Sequence, residues 1–114
     1  MAYSEQLATR IRQALAHLPD VEEKKMFGGI AFMVNDKMCL TVSKNKMMCR
    51  IDPEIHDTVL EKGGCETVIM KGREYRGYVD VGEDSLGTEA VFNYWVNLAL
   101  DFNKRAKPSR KRKK

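Results

Sequence analysis

Leu7, Ile11, Leu15 and Leu18 recur at helical spacing, with Ser4 and Glu5 ahead of them and Pro19 behind. This spacing predicts an amphipathic first helix, capped by the Ser4 hydroxyl and stopped by the proline. After Val21 the period changes. A charged segment reaches Met26-Phe27, a Gly28-Gly29 pair follows, and Ile30–Val34, Met38–Val42 and Met47–Ile51 form short apolar runs. The polar segments Asn35-Asp36-Lys37 and Ser43–Lys46 separate these runs, so this stretch reads as an antiparallel meander. Asp52-Pro53-Glu54 is a helix start: an N-cap acid, a proline where no N–H is needed, and an acid favoured by the helix dipole. A short second helix burying Ile55, Val59 and Leu60 is expected to end at Gly63-Gly64. Glu66–Met70 and Tyr75–Val81 then read as two strands, Gly77 marking a bulge or close backbone approach. Thr88-Glu89 opens a third helix with the stripe Val91, Trp95, Leu98 and Phe102, flanked by Tyr94.

The resulting order, α-β-β-β-β-α-β-β-α, predicts an α+β domain: a mostly antiparallel sheet, meander plus hairpin, covered by three helices. Of 114 residues, 43% are apolar and 32% charged, and no apolar run approaches the roughly 18 residues of a bilayer helix. A disordered chain and a membrane-spanning one are therefore excluded, and one domain is expected. Three cysteines cannot all pair internally, and no secretory order opens the chain, which points to the cytoplasm.

Charge divides the chain. Residues 103–114 hold eight of its twenty Lys/Arg (Lys104, Arg105, Lys107, Arg110, Lys111, Arg112, Lys113 and Lys114) and no acid, leaving twelve basic against sixteen acidic groups before them. We therefore expect a domain over 1–102 and a disordered basic tail over 103–114. Such a tail either solubilises the chain or contacts nucleic acid through phosphates without reading sequence.

Candidate chemistry is sparse. If Val42 lies opposite Met47, then Cys39 faces Arg50 and the thiols of Cys39 and Cys49 point to opposite faces. A guanidinium beside Cys39 would lower its pKa, the one redox hypothesis here. No zinc spacing, nucleophile triad or phosphate cradle occurs, His17 and His56 read as surface residues, and neither a catalytic residue, a metal nor a cofactor is expected. Arg50 sits in an apolar strand and needs solvent or a carboxylate, and Arg73 could join it and Arg76 in an anion-binding patch; alternatively Arg50 and Arg73 each pair with a nearby acid such as Asp52 or Glu74. Most of the methionines read as core filler, although an exposed Met-rich sheet face would mark a protein partner.

The stretches KKMFGGIAFMVNDKMC (24–39), MMCRIDPE (47–54), KGREYRGYVDV (71–81) and YWVNLALDF (94–102) resemble the N-terminal domain of the TfoX/Sxy family, in particular its small stand-alone members. The resemblance implies a compact α+β fold and, through competence regulators of the family, a part in transcriptional activation. Those regulators add a C-terminal helical domain, which this sequence is not expected to carry. Asp36 replaces a usual glycine, implying a looser turn, and Glu74-Tyr75 replaces a usual Pro-Met.

The leading expectation is a non-catalytic regulatory or adaptor domain binding a protein partner. The candidate surface comprises Met26, Phe27, Gly28, Gly29, Arg50, Gly72, Arg73 and Arg76, and the tail adds weak nucleic-acid contact. The alternatives are direct nucleic-acid binding led by the tail and a small-molecule or redox function at Cys39 and Arg50. Homodimerisation stays open, and no membrane contact is expected.

Overall fold

A computed structural model describes residues 3–26, 28–70 and 72–106, with the backbone alone at Met26 and Met70. The elements are α1 (Glu5–Ala14), β1 (Val21–Met26), β2 (Gly29–Val34), β3 (Lys37–Ser43), β4 (Lys46–Arg50), a 3-10 turn (Pro53–Ile55) running into α2 (His56–Lys62), β5 (Glu66–Met70), β6 (Arg73–Gly82), a second 3-10 turn (Glu83–Leu86) and α3 (Glu89–Asn103). The predicted order holds. The strands form one six-stranded antiparallel sheet in the order β1-β2-β3-β4-β6-β5, so the meander and the hairpin meet where β6 pairs with β4.

Local chemistry explains the boundaries. Ser4 Oγ accepts from the Leu7 N–H at 3.1 Å, Thr88 Oγ1 from Val91 N–H at 3.2 Å, and Asp52 Oδ1 from Glu54 N–H at 2.9 Å. Each satisfies a donor that the first turn leaves free. Asn35 and Asp36 both take positive φ, 54° and 67°, between the paired residues Val34 and Lys37. That is the tight two-residue hairpin favoured by strand twist, and not the looser turn expected from the missing glycine, because aspartate tolerates the left-handed region.

Register sorts the strands into two faces. Glu23, Phe32, Leu40, Cys49, Val79 and Thr67 form one continuous cross-strand row, and Lys25, Ile30, Val42, Met47 and Val81 form another on the same face. Every buried apolar side chain of α1, α2 and α3 falls in the core cluster with the apolar members of these rows. The helices thus share one face of the sheet. In α3 the buried residues are Phe92, Trp95, Val96, Ala99 and Asn103, whereas Val91 is 38% exposed. The helix is turned by one residue from the predicted stripe. Both stripes satisfy the helical period, and packing on β3 and β4 selects the second.

The fold also runs past residue 102. Asn103 is buried and donates its Nδ2–H to Val34 O at 3.1 Å, Lys37 Nζ donates to Asn103 O at 2.9 Å, and Ala106 is buried. These contacts anchor the helix end to the β2–β3 hairpin. Lys107, Arg110, Lys111, Arg112, Lys113 and Lys114 lie outside the described residues, as does Phe27. Among the described residues, no helix is long and apolar enough to cross a membrane.

Candidate functional site

The second face of the sheet is built by the alternate residues of the same strands. One row runs across all six: Lys24, Ala31, Thr41, Met48, Asp80 and Glu66. The next holds Glu22, Met33 and Met38, with Arg50 and Tyr78 paired further along. None of Ala31, Met33, Met38, Thr41, Met48 or Tyr78 belongs to the helix-covered core. Met47 alone among the described methionine side chains of the sheet fills that core. Met33, itself buried, and the half-buried Met38 and Met48 lie on the opposite face, where strand parity directs them, so core filling does not account for Met38 and Met48.

This outer face is partly closed. Met33 is 7% and Thr41 4% exposed, while Met38 and Met48 are half-buried. Among the described residues, the buried Thr41 Oγ1 and Arg50 Nη1 have no hydrogen-bond partner. An unpaired buried polar group is costly. The guanidinium of Arg50 lies 5.8 Å from the ring centroids of both Tyr78 and Phe102. Its expected acid is taken elsewhere: Asp52 Oδ2 accepts from Arg105 Nη1 at 2.7 Å. Arg73 makes no ion pair with another described residue, and Arg76 pairs with Asp57, 3.3 Å away.

Beside Met48 the outer row enters a cleft of about 400 Å³ lined by Lys46, Cys65, Glu66, Asp80 and Ser85. Burial pushes the Asp80 carboxyl up, Lys46 opposes that shift and the facing Glu66 reinforces it. Among the described residues, no cluster of His, Cys, Asp or Glu has the arrangement to hold a metal ion.

The other candidate residues separate. Gly28 and Gly29 lie at the β1–β2 hairpin, whereas Gly72 and Arg73 lie at the β5–β6 hairpin near the opposite edge of the sheet, and Arg50 ends β4 between them. A Cβ on Gly29 would fall 2.0 Å from Val42 O, so close backbone packing accounts for that glycine. Gly77 has φ 92° and its added Cβ would meet Pro53 Cγ at 3.1 Å, the close approach its position predicted.

The thiols and histidines also change places. Val42 pairs with Met47 and Leu40 with Cys49 as expected. A bulge then pairs Met33 with Met38, leaving Cys39 over, and Cys39 joins Cys49 in the core cluster instead of pointing to the other face. Burial pushes the Cys39 thiol up to about 12, which the nearby Arg50 only partly offsets. The activated-thiol expectation is thereby overturned: desolvation outweighs the cation. His17 is exposed, but His56, read as a surface residue, is 3% exposed. Its Nδ1 accepts from the Gly77 N–H at 2.9 Å, which leaves Nε2 to donate to Thr67 Oγ1 at 3.1 Å. It is a core bracket tying α2 to β5 and β6.

Sequence reasoning passes over Thr41, Asp80, Glu66 and Lys46. Strand parity holds a signal for two of them, since Thr41 and Asp80 each stand between core residues in Leu40-Thr41-Val42 and Val79-Asp80-Val81.

These features define a helix-backed α+β domain whose single antiparallel sheet keeps a methionine-lined face apart from its core. The TfoX N-terminal domain model matches residues 13–103, and the chain belongs to that family. No curated protein and no solved structure matches it.

Proposed function

We propose that this chain is a non-catalytic regulatory or adaptor domain that docks onto another protein through the outer face of its sheet. The observation that carries this reading is the outer face itself, where Met48 lies opposite Thr41, Met33 and Met38 pair further along, and the buried Thr41 hydroxyl has no partner among the described residues. Methionine adapts its three torsions to an incoming surface, and a docking segment can supply the partner that the Thr41 hydroxyl lacks among the described residues. Resemblance to competence regulators supports a regulatory role over an enzymatic one. Gly28 and Gly29 contribute less to this reading, because backbone packing explains Gly29. The test compares the full chain and its Met48→Glu variant as baits in extract from the source cell, with circular dichroism as a folding control. The variant is expected to retain partners at least about 10-fold less well, the loss expected when a contact residue is replaced by an unpaired charge. Equal retention of the same partners would remove the reading.

A second reading rests on the eight cations of residues 103–114. Arg105 is engaged by Asp52 and Asp101, while Lys104 is exposed. If the arm leads binding to DNA, deleting 107–114 abolishes retention at low salt and flattens a log–log salt slope of about 0.9 per phosphate contacted. Unchanged affinity after the deletion would exclude it.

A further inference from the structure

The two edges of the sheet are not alike. Edge strand β1 presents Glu22, Glu23, Lys24 and Lys25 in succession, and Arg12 of α1 grips Glu23 with two hydrogen bonds of 2.7 and 3.1 Å. Consecutive charges along an exposed edge keep another strand from adding to it. Edge strand β5 has the sequence Glu66-Thr67-Val68-Ile69-Met70, with one charge and no proline. Its Ile69 is 62% exposed, and only Val91 joins it as an exposed large apolar side chain among the described residues. An apolar edge of this kind, with its outer N–H and C=O groups unpaired, is a template for another strand.

Charge placement selects the occupant. Glu66 stands at one end of β5, and Arg73 pairs with Met70 at the other end. Neither makes an ion pair with another described residue. A second β5 laid antiparallel about Val68 sets Glu66 of each copy against Met70 of the other, on the sheet face that Arg73 shares one strand further in. The opposite, parallel arrangement would set two Glu66 carboxylates together. The edge is thus complementary to itself in one direction only, the condition for a closed two-fold pair.

From this we infer that the chain forms a homodimer by antiparallel β5–β5 pairing, joining two six-stranded sheets into one. The contact is short, so the association is of the weak class and concentration-dependent. It is independent of the outer-face reading, since a monomer would leave that face unchanged.

Sedimentation equilibrium of the full chain, from about 10 μM to about 1 mM, tests it. The expected mass rises from 13.1 kDa toward twice that value. Ile69→Lys should weaken association at least about 10-fold with unchanged circular dichroism, because a lysine on the edge blocks pairing. Should that variant lose its strand signal, Ile69→Thr keeps β propensity and removes the apolar contact. Glu66→Arg alone should weaken the dimer, and Glu66→Arg with Arg73→Glu should restore it. A wild-type chain that stays monomeric at the highest concentration overturns the inference. So does a dimer indifferent to Ile69→Lys, and one indifferent to the charge reversals rejects the antiparallel alignment on which it rests.

Discussion

Successive residues of the same strands build two unlike surfaces. Of the inner rows, Phe32, Leu40, Val42, Met47, Val79 and Val81 are fully buried beneath three helices. The outer rows, one residue away, hold Met33, Met38, Thr41, Met48, Arg50 and Asp80. Branched and aromatic side chains fill a core that has one correct packing, whereas flexible ones suit a surface that meets another. The two faces therefore differ in kind: the inner one fixes the fold, and the outer one is the surface on which the proposed docking rests.

The largest expected effect tests that division directly. Phe32→Ala empties a fully buried position and should cost about 3–5 kcal/mol, whereas Met48→Ala on the outer face should cost about 1 kcal/mol or less. Urea titration of both variants, read as midpoints at constant slope, checks the contrast. Comparable losses would show that the outer methionines are a second core.

Two strand threonines sharpen the comparison. Thr67 lies in an inner row and accepts from His56 Nε2, while the Thr41 hydroxyl on the outer face has no partner. Thr67→Val strands a buried imidazole donor and should cost about 1–3 kcal/mol, but Thr41→Val removes a group already unsatisfied and should be neutral or slightly stabilising. Thermal unfolding midpoints that move in the same direction and by the same amount would contradict the assigned hydrogen bonds.

The thiols supply a pH test of the inner face. Cys39 is pushed from the usual 9.0 up to about 12 and fully buried Cys49 is also raised, both by burial. Protonated thiols favour the folded state, so this contribution is intact below pH 9 and is lost as pH rises toward 12, at up to about 1.4 kcal/mol per pH unit for each thiol. Cys39→Ala should flatten that alkaline decline. At neutral pH an alkylating reagent should modify the partly exposed Cys65 well before Cys39 or Cys49.

The same distinction between inner and outer face shows how much of the fold is legible in the sequence. Element order, the Ser4, Asp52 and Thr88 caps and the β3–β4 register follow from local chemistry, and local chemistry is written in consecutive residues. The position of Cys39 depends on a bulge between Phe32 and Met33, which shifts parity without a glycine to announce it. Choosing between the two stripes of α3 likewise requires the sheet beneath it. His56 reads as a surface residue because its partners, Gly77 and Thr67, lie 21 and 11 residues away in sequence. Of the candidate site, Arg50 is visible as a cation in an apolar strand. The methionine face is foreseeable in kind, but sequence does not say which methionines form it, since that requires knowing on which side the helices pack.

The smallest expected effect concerns two aspartates on opposite sides of the usual 3.8. Asp80, on the outer face, is raised by burial, with Glu66 adding to the shift and Lys46 opposing it, whereas Asp52, at the end of the sheet, is lowered by its hydrogen bonds from Arg105 and Glu54. The stability tied to Asp80 belongs to its protonated form: it is present below 3.8 and lost as pH rises through the raised folded value. The stability tied to Asp52 belongs to its charged form, is present above 3.8 and disappears as pH falls through the lowered one. Asp80→Asn should therefore raise the melting midpoint slightly at neutral pH and lose that advantage in acid, while Asp52→Asn should lower the midpoint at neutral pH and recover in acid. Melting curves of both variants from about pH 3 to about pH 7 read the two slopes. Slopes of the same sign would mean that the outer face solvates its carboxylate as well as the sheet end does, and the contrast between the two environments would be lost at that position.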